Sequence, residues 1–358
     1  MKKTVAVLFG GSSSEYEVSC VSGATIAESL SKEKYDVKTV GITKEGAWFL
    51  YEGPTEGMRS GEWVRHPSCR RAVLAPDTSV HGLLVEGPAG RLETMRLDCV
   101  IPAVHGKNAE DGTLQGLLHL SGVPYVGSPT LASACCMDKA VTHTLLASWQ
   151  IPQAHFLWFY VENYRGAGRE KIQRKIDARL GWPIFLKPAN AGSSVGISKV
   201  KSVDELDDAV ALAAQNDAKI VVEEAIVGQE VECAVMGNEH PQASMVGEIA
   251  AGAEFYDYDD KYKNGKSELY IPAHLEESVA EELRHTACRA YRLLGCTGLC
   301  RVDFFVRNGK EVLLNELNTL PGFTAISMYP KLWEAAGKPL PVLLDDLIAL
   351  AEQRVYYR

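Results

Sequence analysis

Two short stretches late in the chain concentrate polar groups of the kind that do chemistry. Arg301-Val302-Asp303-Phe304-Phe305 and Asn315-Glu316-Leu317-Asn318 flank Asn308-Gly309, a dipeptide suited to a tight hairpin because both of its positions accept positive φ. A two-residue loop there pairs Arg307 with Lys310, and hence Arg301 with Glu316 and Asp303 with Leu314. Alternation then puts Arg301, Asp303, Glu316 and Asn318 on one face, and Val302, Phe304, Leu313 and Leu317 on a core face. Asp303 and Glu316 come out as diagonal neighbours, about 7–8 Å apart at the backbone. Two carboxylates and an amide oxygen, without His or Cys, suit a hard cation such as Mg²⁺ or Mn²⁺. A solvated face with an Arg–Glu pair would show the same alternation. Four convergent polar groups ahead of Thr319-Leu320-Pro321-Gly322-Phe323 favour the cation.

A second stretch, Lys187-Pro188-Ala189-Asn190-Ala191-Gly192-Ser193-Ser194-Val195-Gly196, puts a lysine at a strand end before a small-residue loop. Such a loop lets backbone N–H groups approach phosphate oxygens while the lysine supplies charge. It is not a Walker loop, since no Gly-Lys-Ser/Thr closes it. Gly192 to Gly196 also spells the serine-hydrolase elbow, but that elbow must lead into a helix, and Ile197 to Val200 reads as strand. A third stretch, 254–270, mixes aromatic and charged residues without clean periodicity, which suits a lid over a site or an ordinary surface loop.

The elements that must hold these groups follow from pattern. Thr4 to Phe9 reads as a strand, Gly10 to Ser14 as a small-residue turn and Glu17 to Ser31 as a helix, with strands at Tyr35 to Ile42, Trp48 to Tyr51 and Leu97 to Val104. Residues 53–90 carry no clear pattern. Further on, strands at Phe156 to Val161, Pro183 to Lys187 and Ile220 to Glu224 alternate with helices at Arg169 to Leu180 and Val203 to Gln215. From Glu230 onward the chain is mostly strand, covered by helices at Glu276 to Leu294 and Pro341 to Gln353. The fold class is α/β, with α+β character in the C-terminal part and an open α/β domain at the N-terminus.

Composition agrees. The chain has 358 residues, 37 basic against 46 acidic for a net charge of −9, with 46% hydrophobic and 23% charged residues. That suggests two or three globular domains and argues against a nucleic-acid or anionic-membrane binder. No apolar run approaches the ~18 residues of a spanning helix. The nine cysteines include no Cys-x-x-Cys pair, so free thiols in a reducing, cytoplasmic setting are expected.

Taken in order, these pieces resemble the D-alanine–D-alanine ligase family of the ATP-grasp superfamily. The resemblance rests on Gly10 to Glu15, Glu17-Val18-Ser19, His105-Gly106, Glu110 to Gly116, Met137-Asp138-Lys139, Lys187-Pro188, Gly192 to Gly196, 254–262, Arg301-Val302-Asp303 and Asn315 to Tyr329. It implies three domains, 1–140, 141–227 and 228–358, with ATP held between the second and third. By that resemblance Lys139, Lys187, Lys261 and Ser194 meet ATP phosphates, Glu223 and Ile226 line the adenine site and Glu230 binds the ribose. Asp303, Glu316 and Asn318 match magnesium ligands, for two Mg²⁺ or Mn²⁺ ions. Glu15 is expected to hold the first D-alanine's ammonium, linked to Ser193 and Tyr262, with His105 nearby. Arg301, Gly322 and Ser327 match positions that meet the acceptor and the oxyanion, and Met328 adjoins them.

The implied activity is ATP-dependent joining of two D-alanines for peptidoglycan precursor synthesis, by a homodimer that binds neither nucleic acid nor membrane. Alternatives are the resistance-type subgroup making D-alanyl-D-serine, a non-catalytic ATP-binding module, and a serine hydrolase using Ser194.

Overall fold

The computed structural model describes residues 2–193, 195–250 and 268–354. Its strands form three sheets. The first contains β1 (Lys3–Gly10), β2 (Tyr35–Ile42), β3 (Trp48–Tyr51), β4 (Arg70–Leu74), β5 (Gly82–Glu86), β6 (Leu92–Arg96) and β7 (Cys99–Pro102), in the order β6-β5-β4-β3-β2-β1-β7. β1 is buried along most of its length and pairs in parallel with both β2 and β7. That explains its nearly continuous apolar sequence. The remaining pairings are antiparallel, so the expected open α/β sheet is mixed.

Two readings of this region need correction. Residues 53–90, patternless in sequence, hold helix Thr55–Ser60, β4 and β5. Leu97 to Val104 is not one strand: β7 covers only Cys99–Pro102 and is preceded by β6. Short edge strands and one-turn helices span too few residues to show a period.

The second sheet, in the order β10-β9-β11-β8, consists of β8 (Phe156–Tyr160), β9 (Ile184–Pro188), β10 (Ser198–Val200) and β11 (Lys219–Glu224), all antiparallel. Helices Ala167–Arg179 and Leu206–Ala213 bury one face through Ile172, Ile176, Leu206 and Val210. Helix Lys139–Ser148 lies on the other face, where Ala140 packs with Ala189 and Val221. Its N-terminus is capped by Asp138, whose carboxylate accepts from Val141 N at 3.1 Å. The loop after β9 leads into β10, a strand, so the Gly192 to Gly196 segment lacks the helix a serine-hydrolase elbow needs.

The third sheet is antiparallel, in the order β14-β13-β12-β15-β16, from β12 (Gly228–Gly237), β13 (Gln242–Ala250), β14 (Glu268–Tyr270), β15 (Gly298–Arg307) and β16 (Glu311–Asn318). Helix Glu277–Leu293 covers one face. Helices Met328–Ala335 and Leu340–Gln353 join the other face to β1 and helix Tyr16–Ser29 in a shared core containing Val5, Ile26, Met236, Leu332 and Leu347. That shared core holds the first and third sheets against each other. All nine cysteines are free thiols. Among the described residues no helix is long and apolar enough to cross a membrane.

Candidate active site

The β15–β16 hairpin has a different register from the one expected. Asn308 and Gly309 do adopt positive φ, but Arg307 pairs with Glu311, leaving a three-residue loop. A second irregularity follows: Phe304 pairs with Leu314 and Asp303 with Glu316, so Asn315 is an extra residue, a β-bulge. Either shift alone would swap the two faces of β16; together they restore them. Asp303 therefore stands directly opposite Glu316, and Arg301 opposite Asn318. Leu314, not Leu313, takes the core position beside Val302, Phe304 and Leu317.

The polar face extends one strand further than expected. Asp303 pairs with Glu232 of β12 on its other side, so Glu232, Asp303 and Glu316 form a row across three strands. Arg301 sits against this row, its Nε and Nη2 donating to Asp303 at 2.7 and 2.6 Å, with Glu232 at 3.1 Å. Burial disfavours the guanidinium charge, but Asp303, Glu232 and Glu316 outweigh it and hold Arg301 well above its ordinary pKa. Among the described residues no three His, Cys, Asp or Glu side chains are arranged to hold a metal. Two directly opposed carboxylates with Asn318 beside them are still an all-oxygen donor set, which fits a hard divalent cation.

The first sheet contributes Glu15 and His105. β1 ends at Gly10-Gly11, both with positive φ. Buried Ser19 then ties the turn together: its hydroxyl accepts from Gly10 N at 2.8 Å and donates to Ala103 O at 2.7 Å. This fixes the start of helix Tyr16–Ser29 and places Glu15, just before it, over the loop following β9. There Ser193 Oγ donates to Glu15 Oε1 at 2.5 Å. Gly106 allows the approach, since a Cβ there would stand 2.9 Å from Glu15 Oε2, at a φ of +74°.

His105 is buried. Its Nδ1 donates to Leu320 O at 2.9 Å, with Glu110 at 3.6 Å and Ser22 Oγ 3.4 Å from Nε2. Burial lowers its pKa, but Glu110 and Glu15 raise it further, so the net shift is upward.

Lys139 opens its helix and reaches both the loop and the hairpin. Its Nζ donates to Ala191 O at 2.8 Å and lies 3.5 Å from Glu316. Beside it runs a buried polar chain. Lys187 Nζ donates to Glu223 Oε2 at 2.7 Å, Glu223 Oε1 meets His143 Nε2 at 3.0 Å, and His143 Nδ1 meets Gln153 Oε1 at 2.7 Å. Burial alone would raise the Glu223 carboxyl, but Lys187 and His143 hold it well below the usual carboxylate range.

One cleft gathers Glu15, His105, Lys139, Ser193, Arg301, Glu316, Asn318, Gly322, Ser327 and Met328 from all three sheets and their loops. Ser327 stands just before helix Met328–Ala335, and its Oγ accepts from Thr324 N of the preceding loop at 2.9 Å; a Cβ on Gly322 would meet that Oγ at 2.7 Å. Met328 is buried, its methyl against Gly247. Lys187, Glu223, Ile226, Glu230 and Asp303 do not line this cleft. Lys187 and Glu223 belong to the adjoining buried chain, Ile226 lies half-buried between β11 and β12, and Glu230 is on β12. Ser194, Lys261 and Tyr262 lie outside the described residues, as does 254–267 of the expected lid; its last three residues form β14.

Sequence reasoning missed Glu232, His143 and Gln153, and quoted Glu110 in the resemblance without giving it a role. Glu232 had a signal: it falls two residues after Glu230 on one strand, hence on the same face. His143 and Gln153 had none, because the contact of His143 with Glu223 spans 80 residues and no local period marks Gln153.

Known proteins bear on this geometry. Residues 4–128 match the family model described as D-ala D-ala ligase N-terminus, and 145–349 the one described as D-ala D-ala ligase C-terminus. The chain is 45% identical to a D-alanine–D-alanine ligase of Acetivibrio thermocellus, over 99% of this chain and 96% of that protein. It is 47% identical to one of a Thermoanaerobacter species, over 98% and 96%. Among solved structures, the VanG D-Ala:D-Ser ligase of Enterococcus faecalis superposes with a TM-score of 0.89 at 39% identity, covering 98% of this chain and all of that one. The D-alanine–D-alanine ligase of Coxiella burnetii gives 0.86 at 37%, covering 99% and 94%. With three helix-covered sheets, solved neighbours of ATP-grasp type and both family models matched, the chain belongs to the D-alanine–D-alanine ligase family.

Proposed function

We propose that this protein uses ATP to join two D-alanines into D-alanyl-D-alanine, a peptidoglycan precursor. A carboxylate is a poor electrophile, so the first D-alanine's carboxylate attacks the γ-phosphorus of ATP to give an acyl phosphate and ADP. The second D-alanine's amine then attacks that carbonyl and expels phosphate. Negative charge grows on the transferred phosphoryl group and then on the tetrahedral carbon's oxygen, and fixed cations there lower both barriers.

The observation that carries this reading is the single cleft where Glu15, Lys139, Arg301 and Glu316 converge from three sheets. Glu15, held by Ser193, receives the first substrate's ammonium, with His105 beside it. Lys139 and Lys187, with Lys261 and Ser194 by resemblance, meet phosphate oxygens. Glu223 and Ile226 take the adenine and Glu230 the ribose. Arg301 stabilises the oxyanion, and Gly322 and Ser327 border the acceptor. Asp303, Glu316 and Asn318 would hold divalent ions, Mg²⁺ or Mn²⁺, which supply charge neutralisation at the phosphoryl oxygens. Tyr262 is assigned by resemblance to an amine-selective lid. The proposed domains are 1–140, 141–227 and 228–358, in a cytoplasmic homodimer.

Phosphate release from ATP that rises with D-alanine, and whose KM for D-alanine rises in Glu15→Gln, tests the reading. ADP formation indifferent to D-alanine would overturn it in favour of an ATP-binding module without ligase activity.

A further inference from the structure

The buried chain behind Lys187 ends in two residues that no step above uses. The side chain of His143 is 2% exposed, and its ring stacks on Phe156 at 4.7 Å between centroids. The amide of Gln153 has one possible orientation. Its Nε2 donates to the backbone carbonyl of His143 at 2.8 Å, and a carbonyl accepts only, so Oε1 must face the ring. His143 Nδ1 lies 2.7 Å from that oxygen, and Nε2 lies 3.0 Å from Glu223 Oε1. Both ring nitrogens therefore face acceptors, and the two hydrogen bonds form together only when each nitrogen carries a proton. The charged groups meeting this ring are Glu223 from β11 and, across that carboxylate, Lys187 from β9.

We infer that His143 and Gln153 are positioning residues for purine selection: a buried imidazolium, clamped by Gln153, keeps Glu223 ionised and aimed as a pure acceptor. This rests on the reading of Glu223 as the adenine-facing carboxylate. An ionised carboxylate has about four acceptor sites, and Lys187 and His143 take one each, leaving sites for a donor on the base. The 6-amino group of adenine is such a donor, whereas the 6-oxo group of a guanine or hypoxanthine ring is an acceptor. A protonated Glu223 could donate to that oxygen, and the two flanking cations prevent it. Lys187 alone would leave one carboxylate oxygen without a fixed partner and free to turn. Gln153 also anchors the arrangement to the hairpin, since it bridges to Leu314 and Leu314 N donates to Pro152 O at 2.9 Å.

The test compares ATP with inosine triphosphate in D-alanine-dependent phosphate release, for the unmodified protein, His143→Leu, His143→Lys and Gln153→Leu. Loss of a charge-assisted hydrogen bond to a base-reading carboxylate corresponds to about tenfold or more in discrimination. His143→Leu is expected to raise KM for ATP and narrow the ratio of kcat/KM values, ATP over inosine triphosphate, by about that factor, with KM for D-alanine little changed. His143→Lys, which restores a cation and a donor, should recover most of the ratio, and Gln153→Leu should fall between. An unchanged ratio in His143→Leu overturns the inference.

Imidazole-¹⁵N NMR of the unmodified protein gives an independent reading that needs no folded His143→Leu. Both nitrogens of the signal lost in His143→Lys should resonate as protonated, and one bare nitrogen there overturns the inference. If no phosphate is released with D-alanine and ATP, the ligase reading fails instead, whatever the NMR signature shows.

Discussion

Replacing Arg301 by methionine removes a cation from the middle of an acidic row while keeping similar volume. The side chain of Arg301 is 17% exposed, that of Asp303 13% and that of Glu232 9%, so little water is available to take over. Strands β12 and β15 put Glu232 opposite Asp303, and β16 puts Glu316 opposite Asp303, with neighbouring strands about 4.8 Å apart. Removing one partner of a buried ion pair costs about 3–5 kcal/mol, because the remaining charge loses its compensation. Residual exposure places this site near the low end, about 3 kcal/mol. Denaturant unfolding monitored by tryptophan fluorescence should show that loss as a lower midpoint.

On the oxyanion role proposed for Arg301, activity should fall separately, by about 10²–10³ in kcat, the cost of losing a donor worth about 2.7–4 kcal/mol. Arg301→Lys divides the two effects. It keeps the charge near Asp303, so most of the stability returns. It lacks the planar fork that now spans both Asp303 oxygens, so kcat stays depressed. An Arg301→Met protein with unchanged midpoint, or with kcat within a few-fold of the parent, would refute this reasoning.

Three further predictions follow from the same geometry. Glu316→Gln keeps the hairpin but removes a carboxylate facing Asp303 and Lys139, so Mg²⁺-dependent nucleotide binding and turnover should collapse while circular dichroism is unchanged; near-normal turnover sinks the metal assignment. Glu223 is depressed in the folded state, so its contribution to stability is present above the ordinary carboxylate pKa of ~4.3 and is lost as pH falls through its folded value. The stability gap between the parent and Glu223→Gln should therefore shrink on acidification below that point, and a gap independent of pH contradicts the pairing with Lys187 and His143. Met328 lines the cleft and its side chain has no hydrogen-bond donor; on the proposed placement of the acceptor beside it, a buried D-serine hydroxyl would go unpaired at about 1–3 kcal/mol, and kcat/KM should favour D-alanine over D-serine about tenfold or more. Equal values would remove Met328 from acceptor choice.

Much of this site was legible in the sequence because its groups sit near strand ends or alternate along one strand. Lys187 stands one residue from the end of β9, ahead of a small-residue loop, and Arg301 and Asp303 alternate with Val302 and Phe304 along a single strand. Period-two alternation determines which face a side chain takes, and it identified the polar set correctly. It could not give the register, because the bulge at Asn315 and the three-residue loop at Asn308 cancel each other. A pattern of faces is blind to two slips that compensate. Glu232 joined the row only when β12 was seen to pair with β15, a pairing across about seventy residues that local pattern does not encode. The Lys187–Glu223–His143–Gln153 chain is hidden for the same reason, since two strands, a helix and the loop after that helix supply its members. The central strand β1 was plain, while the short pieces between 53 and 90 were not.

The most direct test of the account is a product measurement. Purified protein is given ATP, Mg²⁺ and D-alanine, with equimolar D-serine and D-lactate as competing acceptors, and the products are identified by mass spectrometry near neutral pH. The account predicts D-alanyl-D-alanine as the main product, one phosphate released per dipeptide, and no product without ATP. Equal or greater amounts of D-alanyl-D-serine or D-alanyl-D-lactate, or ATP turnover that yields no dipeptide, would contradict it.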